Sequence, residues 1–68
     1  MTVVVTVNGQ RRELPAGVTL AAVVEKLAPE ARGVAVAVEG EVVPRGEWPN
    51  TVLADGVRLE ILTAVQGG

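Results

Sequence analysis

The residues of this chain best suited to chemistry are the last two, Gly67-Gly68. Glycine has no Cβ and accepts backbone angles that other residues avoid. A Gly-Gly end can therefore enter a narrow slot and carry the Gly68 carboxylate to the bottom of another protein's active site. Taken alone, the dipeptide is also what a linker or an ordinary frayed terminus looks like. Its meaning depends on what lies upstream. The chain has no Cys and no His. That excludes thiol catalysis, a disulfide framework, the common structural zinc sites and the usual nucleophile–base pairs.

A length of 68 residues sets the scale at one domain. With 49% hydrophobic residues and no long polar tract, the chain should fold rather than stay disordered. A domain this small buries about 60% of its unfolded surface, which leaves little room for an internal active-site cavity. Six basic and eight acidic residues are mixed along the chain for a net charge of −2. This argues against a nucleic-acid surface, which needs a basic patch, and Trp48 is the only aromatic side chain that could stack on a base. The opening Met1-Thr2-Val3-Val4-Val5 lacks the basic start of a signal peptide. No apolar run approaches membrane-spanning length, so the expected location is cytoplasmic.

The elements that must position the diglycine can be read in order. Val3, Val5 and Val7 alternate with Thr2, Val4 and Thr6, the period of a strand with one buried face. Asn8-Gly9 is a type I′ hairpin signal, predicting a second strand over residues 10–14 that ends at Pro15-Ala16-Gly17. Thr19 is positioned as a helix N-cap, with Val18 and Val23 spaced as a hydrophobic staple. Leu20, Val23, Val24 and Leu27 then form one apolar helical stripe, with Glu25 and Lys26 on the solvated side. Pro29 stops the helix near Ala28. Alternation resumes at Val34, Val36 and Val38. Gly40 turns the chain into a short strand, Glu41-Val42-Val43, which Pro44 ends. Residues 45–50 are read as irregular or as a single helical turn, with Trp48 covering an edge of the core and Arg45 pairing with an acid such as Glu47. Asp55-Gly56 turns into the last strand, in which Leu59 and Ile61 face the core and Arg58, Glu60 and Leu62 face out.

Strand, strand, helix, strand, strand, strand is the order of an α+β, ubiquitin-like β-grasp. It predicts a mixed sheet of four to five strands packed on one helix, with the first and last strands parallel at its centre. Residues 1–64 are expected to form this body and residues 65–68 a flexible C-terminal tail.

The stretch Val42-Val43-Pro44-Arg45-Gly46-Glu47-Trp48, followed by Leu53-Ala54-Asp55-Gly56, a strand and Gly67-Gly68, resembles the ThiS family, the small β-grasp sulfur carriers of thiamine biosynthesis. The resemblance covers essentially the whole chain; the Gly-Gly alone is shared with ubiquitin and with molybdopterin-synthase small subunits. Three positions depart from the family pattern: Glu39 where Asn is frequent, Val57 where a second Asp is common, and Gln66 where a smaller residue is usual. The resemblance implies that an E1-like adenylyltransferase (ThiF-like) activates the Gly68 carboxylate with ATP and Mg²⁺. Sulfur from a donor such as a cysteine desulfurase then converts it to a thiocarboxylate, and a thiazole synthase (ThiG-like) takes the sulfur. On this reading the chain is a protein substrate and carrier, not an enzyme. It binds no cofactor or metal itself and has neither a nucleic-acid nor a membrane partner.

The chemistry fits those residues. An α-carboxyl group has a pKa of roughly 3.3–3.7, so at neutral pH it is an anion able to attack the α-phosphate of ATP. The cations that must offset two approaching anions have to come from the partner. Val65, Gln66, Gly67 and Gly68 can extend about 13 Å, enough to keep the body at a pocket mouth while the carboxylate reaches inside. Leu62 and Val4, apolar on the sheet face away from the helix, are candidate docking residues beside this access tail. Three other functions remain open at this stage. They are a carrier for a different sulfur acceptor of the molybdopterin-synthase type, a ubiquitin-like protein modifier, and an interaction module with an incidental Gly-Gly.

Overall fold

The computed structural model describes residues 1–29 and 33–63. The elements follow the order β1 (Thr2–Val7), β2 (Gln10–Pro15), α1 (Leu20–Leu27), β3 (Val34–Val38), β4 (Glu41–Val43), a 3₁₀ helix (Arg45–Asn50) and β5 (Arg58–Thr63). The five strands form one mixed sheet in the order β2-β1-β5-β3-β4. β5 is parallel to β1 and antiparallel to β3, so the last strand in sequence is the central strand of the sheet. This is the β-grasp arrangement.

Both hairpins turn through a residue of positive φ followed by glycine: Asn8 (51°) with Gly9 (85°), and Glu39 (52°) with Gly40 (85°). Two successive positive φ angles mark the type I′ turn, whose twist matches that of paired strands. Asn tolerates this region and Glu does so less readily. Glu39 is held there by bonds to β5. Its N–H donates to the Arg58 carbonyl at 2.8 Å, and its Oε2 accepts from the Arg58 N–H at 2.6 Å.

α1 starts at Thr19, whose Oγ1 accepts from the Ala22 N–H at 3.2 Å. It ends with the Ala28 N–H donating to the Val24 carbonyl just before Pro29. Lys26 sits in the last turn, where a cation complements the helix dipole. Leu20, Val23 and Val24 are buried, and Leu27 is half-buried against the same cluster. They meet Val5, Val7, Leu14, Val36, Leu59 and Ile61 from the sheet.

The loop after β4 is more ordered than the sequence suggests. Residues 45–50 form a six-residue 3₁₀ helix with Pro49 inside it. Trp48 is buried, and its Nε1–H donates to the Val43 carbonyl at 2.9 Å. Among the described residues Arg45 pairs with no acid, Glu47 included: its guanidinium lies 5.4 Å from the centroid of the Trp48 ring. The planar cation gains more from the face of the sheltered indole than from an exposed carboxylate, where water screens the charge. Residues 51–53 then pair with the start of α1. The Leu20 N–H donates to the Thr51 carbonyl at 2.8 Å and the Leu53 N–H to the Val18 carbonyl at 3.0 Å. Leu53 is thereby drawn into the core.

Candidate functional site: the root of the C-terminal tail

The access-tail residues Val65, Gln66, Gly67 and Gly68 lie outside the described residues, so the site is described at its root, β5. The alternation Arg58-Leu59-Glu60-Ile61-Leu62 carries through as expected. Leu59 and Ile61 are buried, and Arg58, Glu60 and Leu62 are exposed. A strand with one face in the core and neighbours on both sides is a rigid base for whatever follows it.

Two side chains fasten that base. Glu39 holds its start, as described above. Asn8 holds it farther on: the Asn8 N–H donates to the Leu59 carbonyl at 3.0 Å, and its side-chain amide then spans Ile61. Oδ1 accepts from the Ile61 N–H at 2.8 Å and Nδ2 donates to the Ile61 carbonyl at 3.0 Å. The backbone of β1 turns away at Asn8, and the side-chain amide takes the place of the next peptide group in the parallel ladder. Replacing Asn8 with glycine keeps the positive φ accessible but leaves both Ile61 groups without this partner. Asn8→Gly is expected to cost about 1–3 kcal/mol, measured by denaturant unfolding.

The two candidate docking residues share the open face of the sheet but not one patch. Leu62 is 67% exposed and stands beside Ala35 of β3, at the end of β5 nearest the tail. Val4 is half-buried beside Glu13 of β2, with its N–H donating to Asp55 Oδ1 at 2.7 Å. The parallel register sets Thr6 level with Arg58, so Val4 is level with Gly56. Leu62 lies six residues farther along, about 20 Å. Leu62 instead continues through Ala35 and Ala37 toward Val42, which is 74% exposed. Among the described residues, no three His, Cys, Asp or Glu side chains are grouped to hold a metal ion. No described helix is long and apolar enough to cross a membrane.

The fold and the sequence that follows it define a class: a β-grasp body whose central last strand leads to a diglycine. Known proteins narrow the class. The ThiS family model matches residues 5–68, through both glycines. The sulfur carrier protein ThiS of Escherichia coli K12 is 30% identical over 61 residues, an alignment covering 90% of this chain and 92% of that one. A thiazole synthase of Paramagnetospirillum magneticum is 34% identical over 62 residues, which take in 91% of this chain but only 19% of that protein. The crystal structure of the thiamine biosynthesis protein ThiS from Geobacter metallireducens superposes with a TM-score of 0.78 at 29% identity, covering 96% of this chain and 99% of that one. This chain belongs to the ThiS family.

Proposed function

We propose that the protein is a sulfur carrier for thiazole formation in thiamine biosynthesis, with the Gly68 carboxylate as the point of attachment. The observation that carries this reading is the likeness to the Escherichia coli sulfur carrier over 90% of the chain, together with a family match that runs through Gly68. In the first step a carboxylate oxygen of Gly68 attacks the α-phosphorus of ATP. Pyrophosphate leaves and an acyl-adenylate forms. Adenylation replaces a resonance-stabilised anion with an electrophile that has a good leaving group. A sulfur nucleophile from the donor then attacks the carbonyl carbon and AMP departs. With a persulfide donor this gives an acyl disulfide. A thiol of a partner enzyme then attacks the donor's sulfur and breaks the S–S bond. The donor leaves as a disulfide with that thiol, and a thiocarboxylate remains on Gly68, whose sulfur passes to the acceptor.

The chain takes part as substrate rather than catalyst. It has no Cys or His to supply a nucleophile or a general base, so an E1-like adenylyltransferase provides ATP, Mg²⁺ and the catalytic groups. A cysteine desulfurase is the proposed source of sulfur, and the cytoplasm the proposed compartment. The acceptor is a thiazole synthase. Support for that partner comes from the Paramagnetospirillum protein, a thiazole synthase in which 19% of the length aligns with nearly all of this chain.

The test is the intact mass of the chain after incubation with ATP, a sulfur source and an active extract of its own source. The expected result is a gain equal to the exchange of one oxygen for one sulfur, located at Gly68 by fragmentation. Covalent attachment of the chain to larger proteins would replace this reading with that of a protein modifier. An unchanged mass would overturn it.

A further inference from the structure

The alternation along β5 leaves one main-chain position aimed out of the sheet. In the parallel ladder with β1, the Thr6 N–H donates to the Val57 carbonyl and the Asn8 N–H to the Leu59 carbonyl, each at 3.0 Å. The Asn8 side chain then takes both groups of Ile61. Odd-numbered positions of β5 therefore turn their main-chain groups toward β1, and even-numbered positions turn theirs toward β3, as Arg58 does with Glu39. Thr63 is the next odd position. It stands opposite Val34 in the antiparallel ladder, and the alternation directs its N–H and C=O away from β3. They point into the lane that β1 leaves when it turns back at Asn8-Gly9.

That lane is a groove of about 240 Å³. Asn8, Ile61 and Thr63 border it, Leu27 at the end of α1 lines its helix side, and Arg12 of β2 reaches into it. The Arg12 guanidinium makes a long contact, 3.5 Å, to Gln10 Oε1. Among the described residues, the groove thus presents an open strand edge, an apolar side and a cation. An extended peptide meets all three, because its main chain can pair with the edge while alternate side chains point inward. A small anion would satisfy Arg12 and leave the edge unmet. A second copy of this chain is disfavoured on both of its outer strands. β2 would bring Arg11 and Arg12 against Arg12, and β4 has only three residues before Pro44.

We propose that this lane receives an extended segment of the acceptor thiazole synthase, which adds to the sheet beside Thr63, with a carboxylate side chain against Arg12 and an apolar one over Leu27. The proposal rests on the sulfur-carrier reading above and deepens it by naming where the acceptor grips the carrier. The choice of acceptor follows from the relative in which a counterpart of this domain belongs to a thiazole synthase. Strand addition at Thr63 fixes the chain five residues before Gly68.

The test uses the full chain and the thiazole synthase of the same source, with affinity measured by calorimetry and sulfur loading by mass. Thr63→Pro removes the N–H that faces the lane and no hydrogen bond to β3, whereas Thr63→Ala removes only the side chain. Thr63→Pro is expected to weaken binding about tenfold or more, with Thr63→Ala within about twofold of the parent. Arg12→Glu is expected to weaken binding by a similar factor at low salt, with the deficit shrinking as salt rises. If Thr63→Pro loses its thermal transition, an ester in place of the 62–63 peptide bond removes the same N–H without the proline ring. A parent chain that binds while the proline or ester form binds equally well overturns the strand-addition proposal and leaves the carrier reading intact. A parent chain that gains sulfur but does not bind the synthase overturns both the proposal and the choice of acceptor. A parent chain that never gains sulfur overturns the carrier reading itself.

Discussion

A chain lacking Gly68 is expected to unfold at the same temperature as the parent and to gain no detectable sulfur. The first half follows from where the core lies: among the described residues its last member is Ile61, seven positions before the deletion. The second half follows from geometry. Removing one residue withdraws the carboxylate by about 3.3 Å and puts the Gln66 side chain where the pocket would otherwise meet a glycine. A shift of about 1 Å in a reacting group can cost about a hundredfold in rate, and here the displacement is larger and is compounded by a steric obstacle. Loading should therefore fall by more than about a hundredfold, read as the fraction of chain carrying the extra mass of sulfur over time. Gly67→Leu, which keeps the reach and restores only the obstacle, should fall in the same range. Normal loading of the Gly68-deleted chain would remove Gly68 from its assigned role.

Trp48→Ala is expected to be the most damaging single substitution for the fold. Trp48 is 5% exposed and is the only aromatic residue in the chain. It joins the 3₁₀ helix to the core, donates to the Val43 carbonyl and carries Arg45 on its ring. Truncating a buried Trp to Ala costs about 3–5 kcal/mol, against a total of about 3–10 kcal/mol for a domain of this length. The variant should melt at least about 12 °C lower, or have no cooperative transition, when followed by circular dichroism. Trp48→Phe separates the causes. It keeps most of the packing and the aromatic face for Arg45 but loses the N–H, so its cost should be nearer 1–2 kcal/mol. Equal losses for both variants would mean that the hydrogen bond, not the buried ring, secures this region.

The contrast between what could be read in the sequence and what could not follows the range of the interactions. β1, the Asn8-Gly9 turn, the Thr19 cap and the α1 stripe rest on residues within a few positions of one another, and each formed where spacing placed it. So did the pairing of the first and last strands, because helix crossovers permit few topologies. The family resemblance, carried by the segment around Trp48 and by the diglycine, was legible for the same reason. The individual side-chain contacts between elements were not. Asn8 reads locally as a turn residue, and nothing near it in sequence announces that its amide holds Ile61. Val4 and Leu62 fall correctly on one face, but alternation says nothing of position along the strand, and the register sets them about 20 Å apart. Arg45 beside Glu47 looked like an ion pair until the burial of Trp48 offered the guanidinium a better surface. Leu53 was drawn into the core by pairing with the start of the helix, a contact with no local signal.

The central place of β5 has a consequence for synthesis. β1 and β3 do not pair with each other; the two hairpins belong to one sheet only because β5 lies between them. A nascent chain that has not yet released residues 58–63 holds two separate hairpins and a helix with half a core, lacking both Leu59 and Ile61. Closure must wait for the final strand, since these contacts join the two ends of the chain and long-range pairing forms late. Translation that stops before β5 therefore yields a product that neither folds nor carries the diglycine. Copies that lack β5 are open to proteolysis by the same omission that costs them the diglycine, and they do not accumulate in folded form.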